Sequence, residues 1–190
     1  MIKHRITQHS LVTEAHQTVL KHQPKPIISL DATMGNGHDT LFLARHSDKV
    51  YAFDIQALAI EATQKRLENS KFKDKVTLIH ASHDKLSDYI ANTEKIDIAM
   101  FNLGYLPKAD TTIITQSHST LIALNAAILQ LSSQGIISII AYRGHDGGQA
   151  ETDAIEVWCQ QLDPALFDVC CIHSQHETES SPLLFTIHAK

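Results

Sequence analysis

Residues 27–40 read IISLDATMGNGHDT: a short apolar run from Ile27 to Asp31, a turn holding Gly35, Asn36 and Gly37, and the start of a helical pattern over His38–Arg45. The two glycines let the backbone turn tightly and approach a ligand, and the next helix aims its free N–H groups at the same place. No third glycine stands at the spacing of a dinucleotide fingerprint, and no Gly-Lys-Ser/Thr follows, which excludes a phosphate-gripping P-loop. Outward from this turn, strands and helices alternate. Val50–Asp54, Val76–Ile79, Ile96–Phe101 and Ile136–Tyr142 are apolar runs of strand length. Helical patterns over Ala57–Glu68 and roughly over residues 84–91, 117–131 and 151–161 separate or follow them. Phe167–Ile172 and Leu183–His188 end the chain as two strands joined by the polar loop Ser174–Ser181, with no helix between. This order predicts an α/β fold: a mostly parallel seven-stranded sheet, a C-terminal antiparallel hairpin strand and helices on both faces. Upstream, Leu11, Val12, Ala15, Val19 and Leu20 fall near helical spacing, and Pro24 and Pro26 stop the pattern. Residues 1–26 therefore form an N-terminal helical segment packed on a main domain of residues 27–190.

In such a sheet, ligands bind at the C-terminal ends of the strands, where the strand order reverses. The second strand ends in Asp54, 17 residues beyond Gly37. An acid about 20 residues past such a turn is where a ribose hydroxyl is gripped. Asp54 as a cap for the helix at Ala57 is the alternative. After the third strand, Ser82 and His83 offer small and polar groups to an adenine edge, with Ser82 as a helix cap equally open. The fourth strand leaves through Phe101-Asn102-Leu103-Gly104-Tyr105-Leu106-Pro107. The Asn102 carboxamide can accept a hydrogen bond from an amine, and the Tyr105 ring gives a base a stacking surface. The fifth strand leaves through Tyr142, Arg143, Gly144 and His145, a loop suited to RNA contact or to plain solvation.

Composition bounds the rest. The 190 residues are 43% hydrophobic and carry a formal charge of −5, which fits one domain with a real core and excludes a disordered chain. No run of about 18 apolar residues is present to span a bilayer, so no membrane partner is expected. Three cysteines, Cys159, Cys170 and Cys171, make neither a CxxC pair nor a zinc spacing. The 13 histidines show no HExxH, and the pairs His80/His83 and His173/His176 lack a third ligand, so no metal is expected. The N-terminus has no apolar run of the signal-peptide kind, which makes the cytoplasm the expected compartment. Charge is uneven. Lys3, Arg5, Lys21 and Lys25 against Glu14 leave residues 1–30 at +3, and the remainder at −8.

Taken together, DATMGNGHDT, YAFDIQ, SHDKL, FNLGYLP and the YRGHDGG loop resemble, in order and spacing, the bacterial class I methyltransferases now assigned as tRNA 5-(aminomethyl)-2-thiouridine methyltransferases. The resemblance covers about residues 27–188. It implies a Rossmann-like S-adenosyl-L-methionine fold and methylation of the primary amine on a modified wobble uridine in the tRNA anticodon stem-loop, with homodimerisation left open. Carried over by position, Asp31, Gly35, Asn36, Gly37 and Asp39 hold the methionine end of the cofactor. Asp54 and Gln56 take the ribose, and Ser82 and His83 the adenine. Asn102 through Tyr105 frame the transferring methyl and the target amine. The same stretch is similar to the Asn-Pro-Pro-Tyr motif of amino-group methyltransferases, with Leu103 and Gly104 in place of the prolines. Asn102 and Tyr105 are thus the implied catalytic pair, and Tyr105, Lys108, Tyr142, Arg143 and His145 the substrate side. Asp110 and His145 stand as candidate proton acceptors. Two stretches depart from the family pattern: Lys108-Ala109-Asp110-Thr111 where Gly-Gly-Asp-Lys is common, and Gly-His-Asp-Gly-Gly where Gly-His-Pro-Glu-Gly is usual. Both touch the rim. The competing readings are an N-methyltransferase acting on another amine (rRNA, DNA adenine or a small molecule) and a nucleotide-binding module without catalysis. Because one flipped base needs only a local basic rim, the acidic total does not exclude RNA, and residues 1–30 with Lys108, Arg143 and His145 are the expected source of that rim.

Overall fold

A computed structural model describes residues 1–104 and 114–190. Its elements, in chain order, are β1 (Lys3–Thr7), α1 (Leu11–His22), β2 (Ile28–Asp31), α2 (His38–His46), β3 (Lys49–Asp54), α3 (Ala57–Glu68), β4 (Val76–His80), α4 (Leu86–Tyr89), β5 (Ile96–Leu103), α5 (Ser117–Gln130), β6 (Leu131–Ala141), α6 (Gly148–Gln161), β7 (Phe167–Ser174) and β8 (Leu183–Ala189). The strands form one sheet in the order β1-β7-β8-β6-β5-β2-β3-β4. Among the described strands, β8 alone runs antiparallel to its neighbours, β6 and β7. The chain winds outward from β2 to β4, then returns to place β5 on the other side of β2. The switch point therefore lies between β2 and β5.

Strand periodicity explains the layering. Successive side chains on β5 serve opposite faces. Ile98 and Met100 join Leu11, Ala15 and Val19 of α1 and Leu43 and Ala44 of α2. Ala99, Phe101 and Leu103 join Ala123, Leu124 and Ala127 of α5 and Ile155 and Trp158 of α6. Full burial of a Leu, Ile or Phe contributes about 1.5–3 kcal/mol, against about 1 kcal/mol for a helix cap. These stripes, more than the caps, hold the helices. Among the helices of the described residues, α1 alone carries a side-chain cap, Ser10 accepting from the Thr13 N–H at 3.2 Å.

Two expectations are corrected. The sheet has eight strands, because the N-terminal segment is not wholly helical: Lys3–Thr7 pairs parallel with β7, Lys3 opposite Cys170 and Thr7 opposite Ser174. Its side chains are exposed up to Thr7, so this edge strand shows no apolar alternation to read. The basic residues there are also already engaged. Arg5 Nη2 lies 2.6 Å from Glu14 and Lys3 Nζ 3.2 Å from Asp168. Three strands separate β1 from β5, so this end of residues 1–30 supplies no rim to the switch point.

Candidate functional site

At the C-terminal ends of β2 to β6 lies a cavity of about 580 Å³, in the size range of small-molecule sites. Its floor is the glycine turn. Gly35 and Gly37 adopt φ of 49° and 75°, the left-handed region where a side chain is strained. The turn is tied to β3 by the Asp54 carboxylate, which accepts the Gly35 N–H at 3.0 Å and the Gln56 N–H at 2.9 Å. From α3, Thr63 Oγ1 donates to the Gly35 carbonyl at 3.1 Å and Arg66 Nε to the Asn36 carbonyl at 2.6 Å. Asp54 is therefore not the α3 cap; Gln56 occupies that position without a side-chain bond. Gly35, Asn36, Asp39, Asp54, Gln56, Ser82, His83, Asn102 and Tyr142 all line the cavity. Ser82 lines the cavity and makes no capping bond to the helical turn that follows it.

Asp31 and Gly37 do not reach the cavity surface. Asp31 lies 1% exposed beneath the turn, accepting from Thr40 Oγ1 at 2.6 Å and from the Thr33 N–H at 3.2 Å. Burial first, then the charge of Asp39, pushes its carboxyl up to about 7. A direct contact of Asp31 with a ligand is thus replaced by support of the loop and a contribution to the acidic field. Asp39, unlike Asp31, lines the cavity together with Asp54. Its Oδ1 takes a 2.7 Å hydrogen bond from His16 Nε2 on α1, and its Oδ2 accepts Asn102 Nδ2 at 3.3 Å. The His16 ring is stacked on Phe42, centroids 3.7 Å apart and planes 4° from parallel.

Those contacts fix the Asn102 amide. Its backbone N–H donates to Thr33 Oγ1 at 2.7 Å, and the Asp39 bond sets the NH2 end. The Oδ1 atom is left buried with no hydrogen-bond partner among the described residues. Such an acceptor costs about 1–3 kcal/mol unless a ligand donates to it. His83 shows the same pattern. Its Nδ1 lies 3.2 Å from the Ala32 carbonyl, which can only accept, and Nε2 has no partner among the described residues. Burial holds the His83 pKa below the usual histidine value, so the ring stays neutral and Nε2 offers a lone pair.

The strand exit is pinned from a distance. Gly104, at φ 146°, donates its N–H to Thr115 Oγ1 at 3.0 Å and accepts the Thr115 N–H at 2.9 Å. Thr115 Oγ1 in turn donates to buried Glu151 at 2.6 Å. Tyr105, Lys108 and Asp110 lie outside the described residues. Of the late loop, only Tyr142 lines the cavity; its phenol is pushed up by burial, then by the nearby Asp39 charge. Arg143 turns away. It donates to the Ser181 carbonyl at 2.6 Å and to Glu177 at 2.5 Å, with its side chain 13% exposed, and so pins the β7–β8 loop instead of offering a cation to a substrate. His145 lies behind Gly104, its Nδ1 2.9 Å from the Asp146 carbonyl, and does not line the cavity. His80 does not converge with His83; its Nε2 lies 3.0 Å from the Ile55 carbonyl. Thr33, Thr115, Glu151 and His16 hold the cavity-lining residues or their supports, and the sequence does not reveal them. Each acts on a partner distant in sequence, and no local pattern marks it.

The result is a cavity lined by Asp39 and Asp54, by Asn102 and His83, each of which carries a buried acceptor atom with no partner among the described residues, and by the apolar Met34, Ile55, Leu103 and Ile114. That chemistry suits a cationic ligand carrying a planar ring. A chloroplastic tRNA (mnm5s2U34) methyltransferase of Arabidopsis thaliana is 37% identical over 166 residues, which are 82% of this chain and 60% of that protein; the chain thus spans less than two thirds of that relative's length. A crystal structure described as a putative rRNA-methylase from Clostridium thermocellum superposes with a TM-score of 0.91 at 33% identity, covering 97% of this chain and 100% of that one. A crystal structure described as a putative methyltransferase from Streptococcus mutans in complex with SAH superposes with a TM-score of 0.88 at 35% identity, again covering 97% and 100%. Residues 50–188 match the family described as "Putative rRNA methylase", and with these relatives in view the chain belongs to that family and has the Rossmann-like methyltransferase fold.

Proposed function

We propose that this protein methylates the primary amine of 5-aminomethyl-2-thiouridine at the tRNA wobble position, with S-adenosyl-L-methionine as donor. The observation that carries the reading is the Asn102 amide in the cavity wall: it is held by Asp39 and Thr33, and its buried Oδ1 has no hydrogen-bond partner among the described residues. The residues present fit the cofactor. Asp39 and Asp54 favour a cationic methionine end and a ribose, and Ser82 with neutral His83 offers acceptors to an adenine amino group. When bound, the cofactor supplies an electrophilic sulfonium methyl. Everything else is alignment by the protein's own groups, and holding two reactants at near-attack distance contributes about 7–11 kcal/mol toward a barrier.

Asn102 Oδ1 accepts an amine N–H and so aims the nitrogen lone pair, while Tyr142, and Tyr105 next to Gly104, offer faces to the base. Lys108 is proposed on the substrate side, as the family resemblance implies. An alkylamine is mostly protonated at neutral pH, and burial disfavours that charged form. Asp39 pulls the other way, but both of its oxygens are engaged by His16 and Asn102, which tempers that pull. The similarity to the Arabidopsis tRNA methyltransferase supports the substrate, and the SAH complex of the Streptococcus relative supports the cofactor.

Mass analysis of tRNA nucleosides from a strain lacking the gene tests the proposal. Accumulated 5-aminomethyl-2-thiouridine, restored to the methylated form by the gene but not by its Asn102→Ala variant, is the expected result. Unchanged nucleosides would reject the substrate, and failure of the purified protein to bind S-adenosyl-L-methionine by calorimetry would reject the activity.

A further inference from the structure

A second group of chemistry-bearing side chains sits at the outer edge of the sheet, three strands from β5. His4 on β1 lies opposite Cys171 on β7, and His173 is two residues further along β7. Side chains two apart on a strand share a face, so the parallel register brings one sulfur and two imidazoles together. Their ligand atoms all lie within 4.8 Å of one another, the one such His/Cys/Asp/Glu group among the described residues. His4 Nδ1 is 3.0 Å from His173 Nε2. Cys170 packs instead with the α1-side cluster on the opposite face of the sheet.

The group is backed by a carboxylate. His173 Nδ1 lies 2.6 Å from Glu177 Oε2, and Arg143 holds the same carboxylate through its other oxygen at 2.5 Å. Since a carboxylate accepts, Nδ1 carries the ring proton and Nε2 turns its lone pair toward His4 and Cys171. A histidine oriented in this way by an outer carboxylate is the usual arrangement of a metal-bound imidazole. A plain imidazole–imidazole hydrogen bond accounts for the His4–His173 contact, but not for a thiol at the same point. Tetrahedral zinc, with nitrogen at about 2.0 Å and sulfur at about 2.3 Å, spaces its ligand atoms about 3.3–3.6 Å apart. Rotamer adjustment of about 1 Å closes the present spacing to that.

We infer that His4, Cys171 and His173 form a site for a thiophilic divalent cation of the zinc type, with solvent as fourth ligand. The nitrogen and sulfur donors select against magnesium and calcium, which take oxygen. Binding forms one metal–thiolate bond and releases the Cys171 thiol proton to solvent; His4 shifts its ring proton from Nδ1 to Nε2. Exposed His4 provides the entry path, and Cys171, 2% exposed, is the buried end. The ion joins residues far apart in sequence. It clips edge strand β1 to β7 and, through Glu177 and Arg143, stiffens the loop that carries Tyr142.

The full chain, stripped with a chelator, is titrated with Co2+ and then Zn2+. The expected result is a near-ultraviolet thiolate-to-cobalt band that saturates at one equivalent and is displaced by Zn2+. Cys171→Ser abolishes the band and Cys170→Ser keeps it. His4→Gln, at an exposed position that leaves folding intact, weakens cobalt binding at least tenfold and removes the rise in Tm that Zn2+ gives the unsubstituted chain. Absence of the band, its survival in Cys171→Ser, or equal affinity in His4→Gln overturns the site. If Cys171→Ser does not fold by circular dichroism, His4→Gln decides alone.

Discussion

Replacing His16 by phenylalanine separates the packing of α1 from its hold on the proposed reaction centre. The substitution keeps an aromatic ring on Phe42, stacked at 3.7 Å in the native chain, and deletes the 2.7 Å hydrogen bond to Asp39. A hydrogen bond to a charged group contributes about 1.5–3 kcal/mol. The side chains here are 24% and 9% exposed, so the lower part of that range applies, about 1.5–2 kcal/mol to folding. Only part of it reaches Asn102, because the Asn102–Asp39 bond is long at 3.3 Å and the Thr33 bond remains. If about half is transmitted, near 1 kcal/mol, kcat falls about fivefold. The assay is single-turnover methyl transfer to tRNA from a strain lacking the enzyme, with S-adenosyl-L-methionine affinity measured alongside; the loss is expected in kcat more than in cofactor affinity. In an Asn102→Ala background, His16→Phe should lower stability again and turnover hardly at all, since its route through the amide is gone. Full additivity in turnover, or an unchanged kcat beside a lowered Tm, would refute this route and leave His16 purely structural.

Two further outcomes follow from the glycine turn and the acid beneath it. A Cβ at Gly37 would lie 2.7 Å from Thr63 Oγ1 and 3.0 Å from the backbone of Thr63, at a φ of +75°. Strain of about 1–2 kcal/mol plus overpacking of about 1–3 kcal/mol should make Gly37→Ala less stable by roughly 2–5 kcal/mol in thermal unfolding. Thr63→Ala in the same chain should relieve only part of this, because the crowding against the residue 63 backbone stays; complete relief would show that the backbone conformation costs nothing. Asp31 gives a pH signature. Its folded pKa is raised to about 7 from 3.8, so the stability linked to its protonated form is present below pH 4 and lost as pH rises through 7. Urea unfolding of the cofactor-free protein should weaken over that window, and Asp31→Asn should flatten the dependence. An equally steep profile in the variant would mean that another group titrates.

The parts of this molecule legible in its sequence are those where the physics is local. Ile28–Asp31, Val50–Asp54 and Ile96–Phe101 are buried on both faces, so each reads as an apolar run whatever its neighbours are. The Gly-Asn-Gly turn shows itself because Gly35 and Gly37 supply a backbone conformation that other residues resist. Departures begin where a partner lies far along the chain. Lys3–Thr7 is a strand only because β7 presents a free edge, and its charged exposed side chains give no period to detect. The strand expected from Ile136 starts at Leu131, where α5 ends directly into β6 and the register against β5 shifts between Ile96 and Ile98.

The sequence by itself determined an α/β sheet and pointed to the strand ends after Asp31, Asp54 and Asn102, where the cavity lies, because periodicity and glycine placement are properties of neighbouring residues. Tertiary structure alone decided how the charges are used. It draws Asp31 under the turn and turns Asp39 toward the cavity. It assigns Arg143 to Glu177 and Ser181, and brings His16 across 23 residues to Asp39. A charged side chain spends itself on whichever partner folding brings within about 3 Å, and that distance is set by the packing of whole elements.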